Sequence, residues 1–242
     1  MALLEIAVFN IQSALMAAAA GADRLELCDS PADGGTTASY GTLKLIREKI
    51  NIPVFPIIRP HGGDFCYTDE EYSVIKKDLL LCKELGFEGA VVGILKKDGS
   101  INMAQTKALV EMAYPMEITF HRAFDRARAP LEALEDIICC GCSRILTSGQ
   151  VPNAFDGKEL IKTLITQAAD RIIIMPGSGV RSNNIQALAA FTGATELHSS
   201  ARKSSKGSME FIQGGMKESI ENIVVDEHEI QLMKKEIETN LG

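Results

Sequence analysis

At 242 residues the chain is close to the ~250 typical of a (β/α)8 barrel, and its 46% hydrophobic and 24% charged residues suit a globular domain with a large core. Against 25 Lys and Arg stand 32 Asp and Glu, a net charge of −7 that argues against a nucleic-acid partner. The most apolar early run, Ala14 to Ala20, is too short to span a bilayer and has no basic lead-in, so neither a membrane segment nor a signal peptide is expected.

From the N-terminus onward, short β-rich runs alternate with longer helical patterns. The expected strands are 3–9, 24–28, 54–59, 89–93, 117–122, 144–148, 171–175 and 195–199. Helical patterns lie between them at 11–20, 40–50, 69–85, 103–113, 130–140, 157–169 and 182–191, and a last helix runs from 226 to about 239. Gly21, Gly86, Gly141 and Gly193 each close a helical run just before a strand, Thr68 precedes the acidic start Asp69-Glu70-Glu71, and Pro130 fits a first helical turn. This order implies right-handed βαβ units, an α/β fold and a TIM barrel forming one domain over 1–242. An open doubly wound sheet is the alternative that alternation alone leaves standing. The extended segment 200–225, between strand eight and the last helix, is too long for an ordinary βα connection and reads as a lid, a subunit contact or a loop.

Side chains alternate across a strand, and outward positions must meet apolar helices. Leu4, Ile6 and Val8 therefore face out and Glu5 and Ala7 face in. The same reasoning sends Glu26, Cys28, Arg59, Thr119, His121, Thr147, Glu196, His198 and Ser200 inward. Barrel interiors are mostly Val, Ile and Leu, and an unpaired buried charge costs several kcal/mol, roughly. These groups must pair, bind something or stay wet. A structural salt-bridge network is one reading and is preferred for the deep Glu5 and Glu196. A functional site is preferred where Arg59, His121 and His198 reach the strand C-termini, the end at which ligands bind in this fold.

Two loop signals favour an anion. Gly177-Ser178-Gly179 follows strand seven and Ser199-Ser200-Ala201-Arg202 follows strand eight, where barrels often cradle phosphate on backbone N–H groups. The loop Arg59-Pro60-His61-Gly62-Gly63-Asp64 can aim Arg59, His61 and Asp64 at one ligand. His228 reads as surface. The six cysteines are too few for a disulfide scaffold, so reduced thiols and a cytoplasmic location are expected. Cys139, Cys140 and Cys142 look like a soft-metal trap but fall at the opposite end of the barrel, where packing is the simpler role. Cys28 is the better-placed thiol, with Cys66 its nearest candidate partner.

The segments Gly21-Ala22-Asp23-Arg24-Leu25-Glu26-Leu27-Cys28, Ile58-Arg59-Pro60-His61-Gly62-Gly63-Asp64-Phe65 and Thr119-Phe120-His121-Arg122-Ala123-Phe124-Asp125 resemble the CutC family. So do Leu146-Thr147-Ser148-Gly149, Met175-Pro176-Gly177-Ser178-Gly179 and Glu196-Leu197-His198-Ser199-Ser200-Ala201-Arg202. The resemblance implies a (β/α)8 barrel, a homo-oligomer (dimer or tetramer) and the label copper homeostasis. It also implies Cu(I) binding at two cysteines. One is Cys28, but the second motif, Glu-x-Cys on strand one, here reads Glu5-Ile6-Ala7 and lacks its thiol.

The residues themselves point to a barrel for a small anionic molecule, phosphorylated or carboxylated. Glu26 and His121 form the acid–base pair, with His198 as a second candidate, and Arg59 neutralises negative charge. His61, Asp64, Thr147, Ser148, Gly177, Gly179, Ser200 and Arg202 hold the ligand. Isomerase or lyase chemistry fits this set, and no feature selects the reaction. The rival is a non-catalytic Cu(I)-handling protein using Cys28 with Cys66 or the 139–142 cluster.

Overall fold

The computed structural model describes residues 2–217 and 219–238. Strands and helices alternate: β1 (Leu3–Val8), α1 (Ile11–Ala19), β2 (Arg24–Leu27), α2 (Tyr40–Lys49), β3 (Val54–Pro56), α3 (Asp69–Glu84), β4 (Gly89–Val92) and α4 (Met103–Ala113). The second half continues with β5 (Glu117–Phe120), α5 (Pro130–Cys140), β6 (Arg144–Thr147), α6 (Lys158–Ala168), β7 (Ile173–Pro176), α7 (Ile185–Thr192) and β8 (Glu196–Ser199). After β8 come β9 (Arg202–Ser205), β10 (Asn222–Val225) and α8 (Glu227–Glu238).

Local chemistry explains several boundaries. Thr68 and Glu71 form a reciprocal capping box that opens α3, with three acidic residues at its positive end. Pro130 occupies the first turn of α5, where its missing N–H costs nothing. Gly141 and Gly193 end α5 and α7 in the left-handed conformation that other residues resist. Strand five stops at Phe120, short of the expected Arg122, because the His121 ring accepts a hydrogen bond from the Ala123 N–H and turns the chain into a 3-10 helix over Arg122–Arg126.

The first eight strands form two four-stranded sheets, ordered β3-β2-β1-β8 and β4-β5-β6-β7, with every neighbour parallel. A parallel bridge between Ile57 and Val91 links the β3 and β4 edges, and the Ile58 N–H donates to the Val91 carbonyl at 2.8 Å. At the other edges β7 and β8 run side by side. The main core lies between strands and helices, where Leu4, Ile6, Val8, Leu25, Leu27, Ile118 and Phe120 are essentially inaccessible. A smaller cluster of Phe55, Ile57, Val91 and Cys28 fills the opposite strand faces, together with the charged residues described below.

The 200–225 segment is not merely a loop. It carries an antiparallel hairpin in which Arg202 pairs with Val225 and Ser205 with Asn222. Beyond the paired residues Met209, Phe211, Ile212 and Met216 are exposed.

Candidate functional site

At the N-terminal end of the strands lies a continuous ionic layer. Arg24 donates through Nε to Glu5 and through Nη2 to Glu196, each at 2.5 Å. Arg144 joins Glu196 at 3.1 Å to Glu117 at 2.6 Å. Both guanidinium groups stack on the Phe55 ring, 4.9 and 5.1 Å from its centroid, and Arg24 also reaches the Met175 sulfur. Burial would raise the Glu5 carboxyl, but the hydrogen bond from His198 and the charge of Arg24 outweigh it and bring the pKa to about 2. Glu5 is thus a fixed anion inside the protein.

Above this layer Glu5 takes up a second task. The His198 Nδ1–H donates to its Oε1 at 2.8 Å, leaving Nε2 3.8 Å from Glu26. Burial works against the imidazolium, yet the hydrogen bond to Glu5 and the charges of Glu26 and Glu5 raise the His198 pKa. Burial also raises the Glu26 carboxyl, with the His198 charge opposing it. Glu26 and His198 therefore both shift toward holding a proton nearer neutrality. Beside Glu26, burial and then the Glu26 charge push the Cys28 thiol well above its ordinary range.

His121 is arranged differently. Its Nδ1 accepts the Ala123 N–H at 3.1 Å, so the ring proton sits on Nε2, which is buried and has no partner among the described residues. Burial, then the nearby Arg59 charge, lowers its pKa to about 3 and keeps the imidazole neutral. A Cβ on Gly93 would fall 2.4 Å from this ring, so only glycine leaves it room. Arg59 is 3% exposed and meets no carboxylate among the described residues. Its Nη1 donates to the carbonyls of Asp33 and Gly35 and its Nη2 to that of Gly63, at 2.7–2.9 Å, while Nε has no partner.

These groups line a cavity of about 710 Å³ at the strand C-termini, together with Arg122, Arg126, Arg181 and Arg202. Arg122 is bound by Asp125 at 2.8 Å, but Arg126, Arg181 and Arg202 form no ion pair among the described residues. In the loop after β7, Ser178 and Gly179 have φ of +84° and +69°, and the N–H groups of Ser178, Gly179, Val180 and Ser200 meet no acceptor among the described residues. A neighbouring cavity of about 460 Å³ shares Arg181 and Arg202 and runs under the β9–β10 hairpin.

Of the residues singled out from the sequence, Glu26, Cys28, Arg59, His121, Gly179, His198, Ser200 and Arg202 line the main cavity. Others are placed elsewhere. His61 is exposed and bound to Glu71 at 2.9 Å, and Asp64 accepts from the Cys66 N–H. The Gly177 N–H donates to Thr147, and a Cβ there would meet Leu146 at 2.5 Å and His198 at 3.1 Å, so this glycine seats the histidine. Thr147, expected to face inward, instead donates to Asp125 at 2.5 Å; Leu146 takes the cavity side because β6 runs in the opposite phase. The Ser148 hydroxyl and N–H also bind Asp125.

Reasoning from sequence missed Asp125, the hub joining the loops after β5 and β6, and the cavity arginines 122, 126 and 181. It also missed Arg24 and Arg144. Arg24 shares strand parity with Glu26, a signal that could have found it. Asp125 lies outside any strand, so parity says nothing of it.

The sequence profile of the CutC family matches residues 2–203, stopping as the hairpin begins. The chain is 46% identical over 214 residues to a family protein CutC of Chromobacterium violaceum, covering 88% of this chain and 87% of that one. It is 44% identical over 209 residues to the copper homeostasis protein cutC homolog of Homo sapiens, covering 86% and 77%. The crystal structure of a copper homeostasis protein CutC from Streptococcus agalactiae superposes with a TM-score of 0.78 at 33% identity, covering 83% of this chain and 99% of that one. On sequence and fold alike, the chain belongs to the CutC family.

Proposed function

We propose that the protein binds a small anionic molecule, phosphorylated or carboxylated, in the mouth of a closed (β/α)8 barrel and acts on it by proton transfer. Closure is supported by the Ile57–Val91 bridge at one seam and the side-by-side course of β7 and β8 at the other. A single domain over 1–242 is supported by α8, which packs back on α1 and α7. The observation that carries the binding proposal is Arg59, a buried guanidinium whose Nε has no acceptor and whose charge has no carboxylate to balance it among the described residues. A buried cation without a counter-ion is costly, and a ligand anion removes that cost. Arg126, Arg181, Arg202 and the free N–H groups of the β7 and β8 loops extend the same positive field across the mouth. Glu26 and His198 form the proton-transfer pair, Glu5 orients His198, and His121 donates one fixed hydrogen bond.

Copper, named in the relatives' descriptions, does not fit these side chains. Cu(I) prefers thiolate and thioether ligands, whereas the Cys28 thiol is held protonated beside Glu26. Among the described residues, no group of three His, Cys, Asp or Glu is placed to hold a metal ion. No step is assigned to copper. The described residues include no helix long and apolar enough to cross a membrane. The described free thiols suit a reducing, cytoplasmic setting, and exposed Met209, Phe211, Ile212 and Met216 suit contact between subunits of a homo-oligomer.

Thermal denaturation with inorganic phosphate, sulfate and sugar phosphates tests the proposal. The melting temperature should rise with ligand concentration, and Arg59→Ala should abolish the rise. A competing-chelator titration with Cu(I) should reveal no tight site; stoichiometric Cu(I) binding lost in Cys28→Ser would reverse the conclusion.

A further inference from the structure

We infer that the cavity is an enolising site, in which Glu26 takes a proton from the carbon beside a carbonyl group while Arg59 Nε–H and His121 Nε2–H hold the resulting enolate oxygen of a phosphorylated hydroxy-carbonyl compound. The inference rests on the anion-binding reading above and adds the reaction class.

The lining side chains narrow the chemistry. No lysine lines the cavity, so it holds no amine for an imine. Its thiol, Cys28, is kept protonated by burial and by Glu26. The Ser178 and Ser199 hydroxyls donate to the carbonyls of Pro152 and Val180 rather than to a base. Of the lining aspartates, Asp125 is bound by Arg122, Thr147 and Ser148 and Asp33 is exposed, so Glu26, His198 and His121 are the buried proton-handling groups, and they are not equivalent. The Ala123 N–H occupies His121 Nδ1, so this ring offers one N–H and has no free lone pair with which to take a proton. His121 is a neutral donor beside a buried cation, which suits stabilisation of an oxygen that becomes negative during reaction. A neutral histidine donor working with a carboxylate base is an established way to enolise a sugar phosphate.

Glu26 suits the base. It is 5% exposed and, among the described residues, forms no ion pair with an arginine or lysine; the His198 Nε2 lies 3.8 Å away, and Glu5 and Arg24 act on it more weakly. His198 is anchored from behind by Glu5, so Glu5 is a positioning residue for His198, the partner with which Glu26 exchanges its proton. In the step, the α C–H bond breaks and its proton goes to the Glu26 carboxylate. The electron pair left behind forms the C=C bond, and the carbonyl π pair moves to oxygen, facing Arg59 and His121. The reverse step returns a proton from Glu26 to carbon; in D2O the returned particle is a deuteron.

Two probes separate this inference from simple anion binding. Phosphoglycolohydroxamate mimics a planar enediolate, whereas glycerol 3-phosphate carries the same phosphate without that oxygen. Calorimetric titration should give at least about tenfold tighter binding of the hydroxamate. His121→Gln should lose most of that preference while still binding glycerol 3-phosphate, and an unchanged circular-dichroism spectrum with one cooperative melting transition would show that the fold is intact. Equal affinity for the two probes overturns the enolising site and leaves the anion site standing. Failure of inorganic phosphate and of both probes to bind overturns both. Proton–deuteron exchange at the α-carbon of dihydroxyacetone phosphate, followed by NMR and lost about 100-fold or more in Glu26→Gln, would support the base; exchange at the wild-type rate in that variant would remove Glu26 from the role.

Discussion

The two ends of the strand bundle hold similar residues in opposite states. At the N-terminal end Arg24 and Arg144 share Glu5, Glu196 and Glu117, so every guanidinium has a carboxylate. At the C-terminal end Arg59 is just as buried, yet it meets no carboxylate among the described residues: it donates to backbone carbonyls, stacks on Phe65 and lies beside Tyr67, and its Nε has no hydrogen-bond acceptor there. The contrast extends to the histidines. His198 leans on Glu5 and shifts toward protonation, while His121 lies beside Arg59 and stays neutral. A paired charge in the interior holds neighbouring strands in register; an unpaired one is, on the function proposed above, the group that takes a ligand. Burial alone does not distinguish these roles, and the partner does.

The sharpest way to break the comparison is to remove one cation from each end. Arg24→Ala leaves Glu5 with only His198 and Glu196 with only Arg144, and should cost about 3–5 kcal/mol in urea unfolding. Arg59→Ala leaves no carboxylate unpaired and should cost only about 1–2 kcal/mol, while abolishing stabilisation by phosphate. Equal losses of stability would show that the two arginines do the same structural job.

A smaller effect lies in pH. The folded pKa of His121 is lowered, so its neutral form supports stability above about 6.5, and that support is lost as pH falls from 6.5 toward 3. His198 has a raised folded pKa, so its contribution is complete below about 6.5 and is lost as pH rises through the folded value. His121→Gln should therefore flatten the stability curve on the acid side of 6.5, and His198→Gln on the alkaline side. The acid comparison belongs above pH 4.5, because Glu5, lowered to about 2, loses its own contribution between 4.5 and 2. Parallel changes in the two variants would erase the distinction between the histidines.

The smallest effect should come from the thiol between the two regions. Cys28 is a buried, protonated neighbour of Glu26, so Cys28→Ser should change stability by about 1 kcal/mol or less and leave the phosphate-induced thermal shift intact. A lost shift would place the sulfur in the ligand's path.

Much of this was legible before any coordinates. Alternation placed Leu4, Ile6 and Val8 against the helices and sent Glu5, Glu26, His121 and His198 inward, because a charged strand face cannot meet an apolar helix. Thr68, Pro130, Gly141 and Gly193 marked helix ends through local chemistry alone. The same rule failed on β6, where the polar residues Arg144 and Thr147 have opposite parity and so point to opposite phases, and Thr147 and Leu146 exchanged faces. Parity with Glu26 would have sent Arg24 inward too, but it names no partner, and the carboxylates that meet Arg24 and Arg144 lie on other strands. His61 and Asp64 belonged to a glycine-rich loop whose direction depends on what it packs against, and that loop turned them toward α3 and Cys66 instead of the cavity.

The sequence by itself determined the order of elements, the inward set of charged residues and the family, because periodicity, capping and motif order are properties of short stretches of chain. Only the tertiary structure decided which of those charges would be paired. Glu5 meets Arg24 across 19 positions and His198 across 193, distances that local chemistry cannot see. Whether a buried charge is paired was settled there, by which partner the fold brought to it.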